Sequence, residues 1–297
     1  LIKYNLSTSL SSSVIASAIS KKAAQVNKSV GVHIKIDTGM GRLGVQPEAF
    51  LSLLNSVISY KNLKIEGVFT HLSSADEEDP ETTHHQISIF SNVLKKLHTT
   101  NFYKMISKND RILFHSANTA GLLRFSEGRF DLVRPGISLF GSFPSATTAS
   151  AFDVLAKENK ITQLRPVMNW KTKIIQIQTL RKGVPVSYGG RYVTKSEGAR
   201  IATIPVGYAD GLSRRLSNNM ELLVKETRVK QVGTICMDMC LIDITNLPDV
   251  TMGEEVVIFG SQGKGHIKVE ELATRAGTIP YEILCGIGKR VPRIYIS

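Results

Sequence analysis

Two periods alternate in the apolar residues of the first half of the chain. Phe50, Leu51, Leu54, Val57 and Ile58 follow Pro47 at helical spacing, and Ile87, Phe90, Val93, Leu94 and Leu97 repeat it. Short runs of strand character lie at 32–36, 64–70, 112–114 and 130–133, with Ile2–Tyr4 a candidate fifth. Each run ends in a polar cluster: Asp37-Thr38, His71-Leu72-Ser73-Ser74, His115-Ser116-Ala117-Asn118 and Arg134-Pro135-Gly136. Strands that alternate with amphipathic helices and carry polar groups at their C-terminal ends predict a parallel βα array. Eight such strands close a barrel, so four or five predict an incomplete one.

The pattern then changes. Ser, Thr, Ala and Lys dominate 142–163, which reads as a linker with a short helix near 151–157. After Pro166 the stretches 173–179, 199–206, 221–225, 228–245 and 255–259 are β-rich and punctuated by glycine. A helix is predicted at Val269–Ala276 with Gly277 as its C-terminal stop. The expected layout is a partial (β/α) barrel over 1–148, a linker over 149–165 and a mostly β domain over 166–297.

Composition narrows the function classes. A net charge of +12 suggests an anionic partner, yet the basic residues are scattered and no basic arm is interleaved with aromatics. Nucleic-acid binding is therefore disfavoured. No apolar run is long enough to span a bilayer. Cys236, Cys240 and Cys285 lack metal-ligand spacing, which argues against a disulfide framework and a zinc site and favours a reducing compartment. The chain opens at Leu1 with no signal-peptide pattern, and its N-terminus reads as incomplete.

Candidate chemistry clusters at the ends of the runs. Lys35-Ile36-Asp37-Thr38-Gly39-Met40-Gly41-Arg42-Leu43-Gly44 joins an apolar run to a glycine-dense turn that carries Arg42. Asp37 and Thr38 can bond back to the turn amides. Taken alone, such a loop reads first as an ordinary strand-to-helix turn, with Pro47 opening the next helix. His71 at a strand end is either a stacking or proton-transfer group or a core histidine. Arg134-Pro135-Gly136 offers an anion nest or a plain strand-ending turn. Tyr188 and Tyr208 each stand beside glycine, and a tyrosine becomes a general base when its neighbours lower its pKa from about 10. Cys236 reads as a packed residue at a site edge, His84 and His85 as solvated. Gly260-Ser261-Gln262-Gly263-Lys264-Gly265 reads as a hairpin turn. No histidine spacing supports a metal site.

In order along the chain, K-I-D-T-G-M-G-R-L-G, T-H-L-S-S-A-D-E, H-S-A-N-T-A, D-L-V-R-P-G-I-S-L-F-G, V-S-Y-G, G-Y-A-D-G-L-S-R-R, I-C-M-D and T-I-P-Y-E-I-L-C resemble the alanine racemases. That resemblance implies an α/β barrel, (β/α)8, N-terminally incomplete here, followed by a mostly β C-terminal domain. It also implies a cytoplasmic homodimer using pyridoxal 5'-phosphate (PLP) to interconvert L- and D-alanine by two-base proton transfer. Carried over by motif, Tyr188 is the catalytic tyrosine serving the other subunit's site, supported by His71 and Arg134. His71 lies against the pyridine ring and Arg134 bonds its nitrogen. Asn118, Thr119, Gly136, Ile137 and Tyr281 join them in holding PLP. Arg42 and Met237 hold the substrate carboxylate, with Lys35 a candidate for carbamylation. Tyr208, Arg214, His115 and Asp76 line the entryway.

The sequence departs from the family pattern in one large respect. No V-K-A-N-A-Y-G-type segment with the Schiff-base lysine occurs in it. Thr234 also stands where many members have an entryway arginine, and Thr119 where serine is common. These departures leave open a broader or serine racemase and a non-catalytic truncated relative.

Overall fold

The computed structural model describes residues 1–106, 111–159 and 163–296. The chain divides into two compact units, one of Leu1–Gly136 with Ser145–Gln163 and one of Ile137–Pro144 with Leu164–Ser297.

In the first unit, four strands form a parallel sheet in chain order: β1 (Thr8–Leu10), β2 (Val30–Lys35), β3 (Leu63–Phe69) and β4 (Leu113–His115). Helices α1 (Ser13–Gln25), α2 (Phe50–Ile58), α3 (Glu81–Thr99), α4 (Asn101–Ile106), α5 (Thr119–Arg124) and α6 (Ala146–Asn159) complete it. Ser12 caps α1 by accepting the Val14 amide at 3.2 Å. Alternation along the strands sends Val32, Ile34, Ile65, Val68 and Phe114 into one core with Phe50, Leu54, Phe90 and Leu97 of α2 and α3. The register slips between Val32 and His33, so Val32 faces Ile65 but His33 faces Gly67, and Glu66 is the extra residue of a bulge.

The second unit is mostly β. Its strands are β5 (Trp170–Lys173), β6 (Gln176–Leu180), β7 (Pro185–Val186), β8 (Tyr192–Val193), β9 (Ala199–Ile204), β10 (Glu221–Val224), β11 (Thr227–Val232), β12 (Cys240–Asp243), β13 (Glu255–Gln262) and β14 (Gly265–Ile267). They order as β14-β13-β10-β11-β12-β9-β6 with β5 on β13, while β7 and β8 pair separately. Lys225 and Glu226 turn the β10–β11 hairpin with φ of 48° and 64°, the left-handed geometry of a type I′ turn. Helices α7 (Val269–Ala276) and α8 (Pro280–Gly286) follow β14, and Gly277 ends α7 at φ 68° as its position predicts. Residues 260–265 lie in the β13–β14 hairpin, as read from the sequence.

Four expectations change. Residues 130–133 form no strand, because Phe130 turns left-handed (φ 48°) and the Asp131 carboxylate takes the Phe114 amide at 2.9 Å. Among the described residues, only the Asp131 and Arg134 amides reach across, to Phe114 O and Ala117 O. Ile2–Tyr4 is a 3-10 turn, and the first strand is Thr-Ser-Leu at Thr8–Leu10, with a single apolar residue to reveal it. The stretch 173–179 splits into β5 and β6, and 228–245 into β11 and β12. The helix expected near 151–157 runs from Ala146 to Asn159, buries Phe152 and Ala156 one turn apart, and packs on α5.

The chain's single tryptophan, Trp170, is buried edge-on to Phe259 and so reports on the second unit alone. Leu222→Ala, at a fully buried site of β10, is expected to destabilise that unit by about 2–5 kcal/mol. Urea unfolding followed by Trp170 fluorescence measures it.

Candidate active site

The first unit's sheet has an apolar helix-covered face and a polar one. Lys35, His33 and His115 alternate with the core residues of β2 and β4 and therefore share the second face with Phe69. Phe69 stacks on His115 with ring centroids 4.9 Å apart at 9°. Lys35 Nζ and Arg134 Cζ lie 5.9 and 5.3 Å from the same ring.

Arg134 gathers the strand ends. Its Nη2 donates to Thr70 O at 2.9 Å and Ser116 O at 3.0 Å, and Nη1 donates to His115 Nδ1 at 2.5 Å. Three of its five N–H groups are spent in this way, leaving two for a ligand. Burial draws its pKa down to about 10, so it stays charged at neutral pH. His71, at the end of β3, is held down to about 4 by burial and then by the charges of Arg134, Arg42 and Lys35. Burial and the repulsion of Arg42 and Arg134 also lower Lys35, against the opposing pull of Asp37. Three cations around neutral histidines favour an anionic ligand.

Asp37 shapes the neighbouring loop. Its Oδ1 accepts from the amides of Gly39, Met40 and Gly41 at 3.1, 2.9 and 3.1 Å, and Oδ2 accepts from Gly41 at 3.0 Å. Burial works to raise its pKa, but these amides and Lys35 prevail and lower it. Gly44 sits at φ 132°, where a Cβ would lie 2.6 Å from Asp37 N, so only glycine closes the loop. Arg42 is exposed on it.

Gln86 of α3, which sequence reasoning missed, ties the loops together from beneath. It is 1% exposed, donates to His71 O at 3.1 Å and Thr38 Oγ1 at 3.3 Å, and accepts the Ser73 amide at 2.9 Å. A glutamine in the middle of an amphipathic helix carries no sequence signal for this. Asn118 caps α5 through the Gly121 amide at 2.9 Å and donates to Leu72 O at 3.1 Å. The Gly136 amide meets Thr119 Oγ1 at 2.8 Å, and a Cβ on residue 136 would find no atom nearer than that hydroxyl, 3.8 Å away. Asp76 lies in the loop that Arg124 holds through Ala75 O at 2.7 Å. His115, expected at the entryway, is 4% exposed and stacked on Phe69.

In the second unit, interlocked turns present Tyr188, Tyr208 and Met237, which are 72%, 48% and 53% exposed. The Tyr208 and Ala209 amides donate to Cys236 O and Met237 O, both at 3.0 Å. Arg290 bridges Asp210 at 2.6 Å and Asp238 at 2.7 Å across the two turns. Ser187 is strained at φ 65° and is clamped by Thr234: Ser187 Oγ donates to Thr234 O at 2.7 Å, and Thr234 Oγ1 donates to Tyr188 O at 2.8 Å. Cys236 packs against the same clamp, its sulfur 3.6 Å from Ser187 Oγ. Arg214 is exposed, Tyr281 is partly exposed on α8, and Ile137 is buried at the start of a 3-10 turn.

The chain matches the family descriptions "Alanine racemase, N-terminal domain" over residues 1–144 and "Alanine racemase, C-terminal domain" over residues 167–295. It is 41% identical over 295 residues to the alanine racemase of Halothermothrix orenii, covering 99% of this chain and 73% of that protein. Among solved structures, the alanine racemase of Clostridium difficile 630 superposes with a TM-score of 0.85 at 34% identity, covering 99% and 72% of the two chains. The Bacillus anthracis alanine racemase with bound L-Ala-P gives 0.80 at 33%, covering 97% and 70%. The chain belongs to the alanine racemase family, with its N-terminal α/β barrel domain and mostly β C-terminal domain. Enzymes of this family are PLP-dependent isomerases.

Below pH 6.5 an unfolded histidine takes up a proton that His71 and His115 refuse in the folded unit until about 4 and about 3. The unfolded chain binds more protons across that window, so stability falls as the pH drops. The expected outcome is a Tm that declines steadily from pH 6.5 to pH 4, with a shallower decline in the His71→Gln/His115→Gln double variant. Calorimetric scans at stepped pH measure both slopes.

Proposed function

We propose that this protein interconverts L- and D-alanine with PLP, supplying D-alanine for peptidoglycan, as a cytoplasmic homodimer whose sites draw on both copies. The observation that carries the reading is Arg134, fixed by three hydrogen bonds with two N–H groups unspent on a face that also holds Lys35 and His71. These residues fit PLP. A guanidinium can only donate, so it pairs with a ring nitrogen that is unprotonated. Thr119 and the amides of Gly136 and Ile137, with Tyr281 and Asn118, would hold the phosphate end, where position 136 leaves room. Bound PLP would supply the electron sink that acidifies the substrate's Cα–H.

The remaining roles belong to the chain's own groups. His71 stays neutral above about pH 4 and so lies against an aromatic ring without adding charge. Arg42 and the Met237 amide hold the substrate carboxylate. The depressed pKa of Lys35 increases its neutral amine, the form that carbamylation requires. Tyr188 takes and returns a proton on one face of Cα in the second copy's site, its backbone held by Thr234 and its ring exposed. Tyr208, Arg214 and Asp76 border the entryway. Two-base transfer needs a second group on the opposite face. That base and the covalent cofactor anchor would be a lysine in a V-K-A-N-A-Y-G-type segment, which no stretch of the 297 residues matches.

A broader or serine racemase is the second reading, favoured by the neutral, buried Thr234 where many members carry an entryway arginine. Relative rates on alanine, serine, lysine and arginine separate the two. In the complete protein, with the cofactor-anchoring lysine present, Tyr188→Phe is expected to retain PLP absorbance and lose racemisation by roughly 10²–10⁴-fold. Full activity in that variant refutes the assignment.

A further inference from the structure

Beyond the residues given roles above, a row of polar groups continues from Arg134 across the polar face of the sheet. Arginine has no acceptor, so His115 Nδ1, 2.5 Å from Arg134 Nη1, must accept. The His115 proton then sits on Nε2 and is donated to His33 Nδ1 at 2.9 Å. His33 in turn carries its proton on Nε2, the nitrogen 3.9 Å from Glu66 Oε2. Ser7 Oγ donates to that same carboxylate oxygen at 2.5 Å. A donor-only cation at one end and a carboxylate at the other polarise the row in one direction, and each ring has a single permitted tautomer.

Both imidazoles are neutral. Burial lowers His33 and His115 alike, and the Arg134 charge adds to it, while Glu66 opposes the shift at His33 and Asp131 at His115. A neutral imidazole can accept at one nitrogen while donating from the other, which a protonated ring cannot.

The backbone is built around this row. The bulge in β3 inserts Glu66 and places Gly67 opposite His33. A Cβ on Gly67 would lie 2.3 Å from His33 Nδ1, and one on Gly31 would lie 2.2 Å from Glu66 Oε2. Two strand positions therefore lack side chains where the row passes, position 67 also being closed by the Leu113 carbonyl oxygen 2.7 Å from a Cβ, and a bulge re-aims the carboxylate.

We propose that His33 is a positioning residue for the ligand site: by accepting from His115 Nε2 it keeps His115 Nδ1 aimed as the acceptor that orients Arg134, with the Glu66 charge, 3.9 Å from His33 Nε2, biasing the far end electrostatically. The consequence for the cofactor rests on the reading of Arg134 as the group that faces the PLP ring nitrogen. Removing the acceptor would leave a buried Nε2–H without a partner, free the His115 ring to turn and release Arg134.

The test uses the full chain, His33→Leu, which lacks an acceptor, and His33→Gln, which keeps one. Long-range proton–nitrogen spectra of ¹⁵N-histidine-labelled protein without PLP are expected to show the Nε2–H tautomer for both His33 and His115. An Nδ1–H tautomer at His115 would overturn the proposal, and this measurement does not depend on any variant folding. Equilibrium binding of PLP, followed by its absorbance, is expected to weaken about tenfold in His33→Leu, the scale of one buried hydrogen bond. His33→Gln is expected to recover to within about twofold of the parent. Parent-like PLP affinity in a folded His33→Leu overturns the positioning role. A parent protein that binds no PLP overturns the cofactor reading and the ligand end of this proposal, while the tautomers still decide the row itself.

Discussion

The hydrogen bonds of the Arg134 guanidinium hold the candidate site together. They reach the carbonyl after β3 at Thr70, the carbonyl after β4 at Ser116, and the ring of His115. Parallel strands end in carbonyls that the ladder no longer satisfies, and each of these needs a donor. One side chain supplies two of them, and because it is charged, its bonds are stronger than neutral ones. The loop after β2 solves the opposite problem, with three orphan amides gathered by the single carboxylate of Asp37. Gln86 then joins the loops after β2 and β3 from the helix side. The strand ends are thus fixed by polar side chains, and the apolar core on the other face sets only their height.

The second unit arrives at a similar result by different means. There the rigidity comes from interlocked turns, in which Arg290 spans two carboxylates and Thr234 grips a strained serine beside Tyr188. Strain at Ser187 persists because the neighbouring backbone leaves it no alternative. Gly233 contributes to this, since a Cβ there would lie 2.7 Å from the Ser187 Cβ. The Tyr188 phenol then stands largely in solvent while its backbone is held.

Much of this was legible in the sequence. The helices at Phe50–Ile58 and Glu81–Thr99 show a strict 3.6-residue period, and β2 and β3 show apolar runs, because each has a face pressed into the core. Tyr188, Arg134 and the Asp37 loop were visible through their motifs. Other features depend on contacts that no local pattern encodes. The strand expected at 130–133 has strand composition but is defeated by a left-handed residue and a competing carboxylate. The burial of His115 owes much to Phe69, a neighbour 46 positions away in sequence that stacks on its ring. Gln86 and His33 look like ordinary helix and strand residues, because their partners are assembled only by the fold.

The space around His33 and Glu66 has a further meaning for how this sequence can vary. Gly31 and Gly67 are side-chain-free where an imidazole and a carboxylate occupy the adjacent room. The two glycines are not equivalent, however. At position 67 a Cβ would also lie 2.7 Å from the Leu113 carbonyl oxygen, so backbone closes that site whatever stands at 33, whereas at position 31 the three nearest atoms all belong to the movable end of the Glu66 side chain. Variation is thus closed at one glycine by the neighbouring strand and open at the other to any change that lets a carboxylate swing aside.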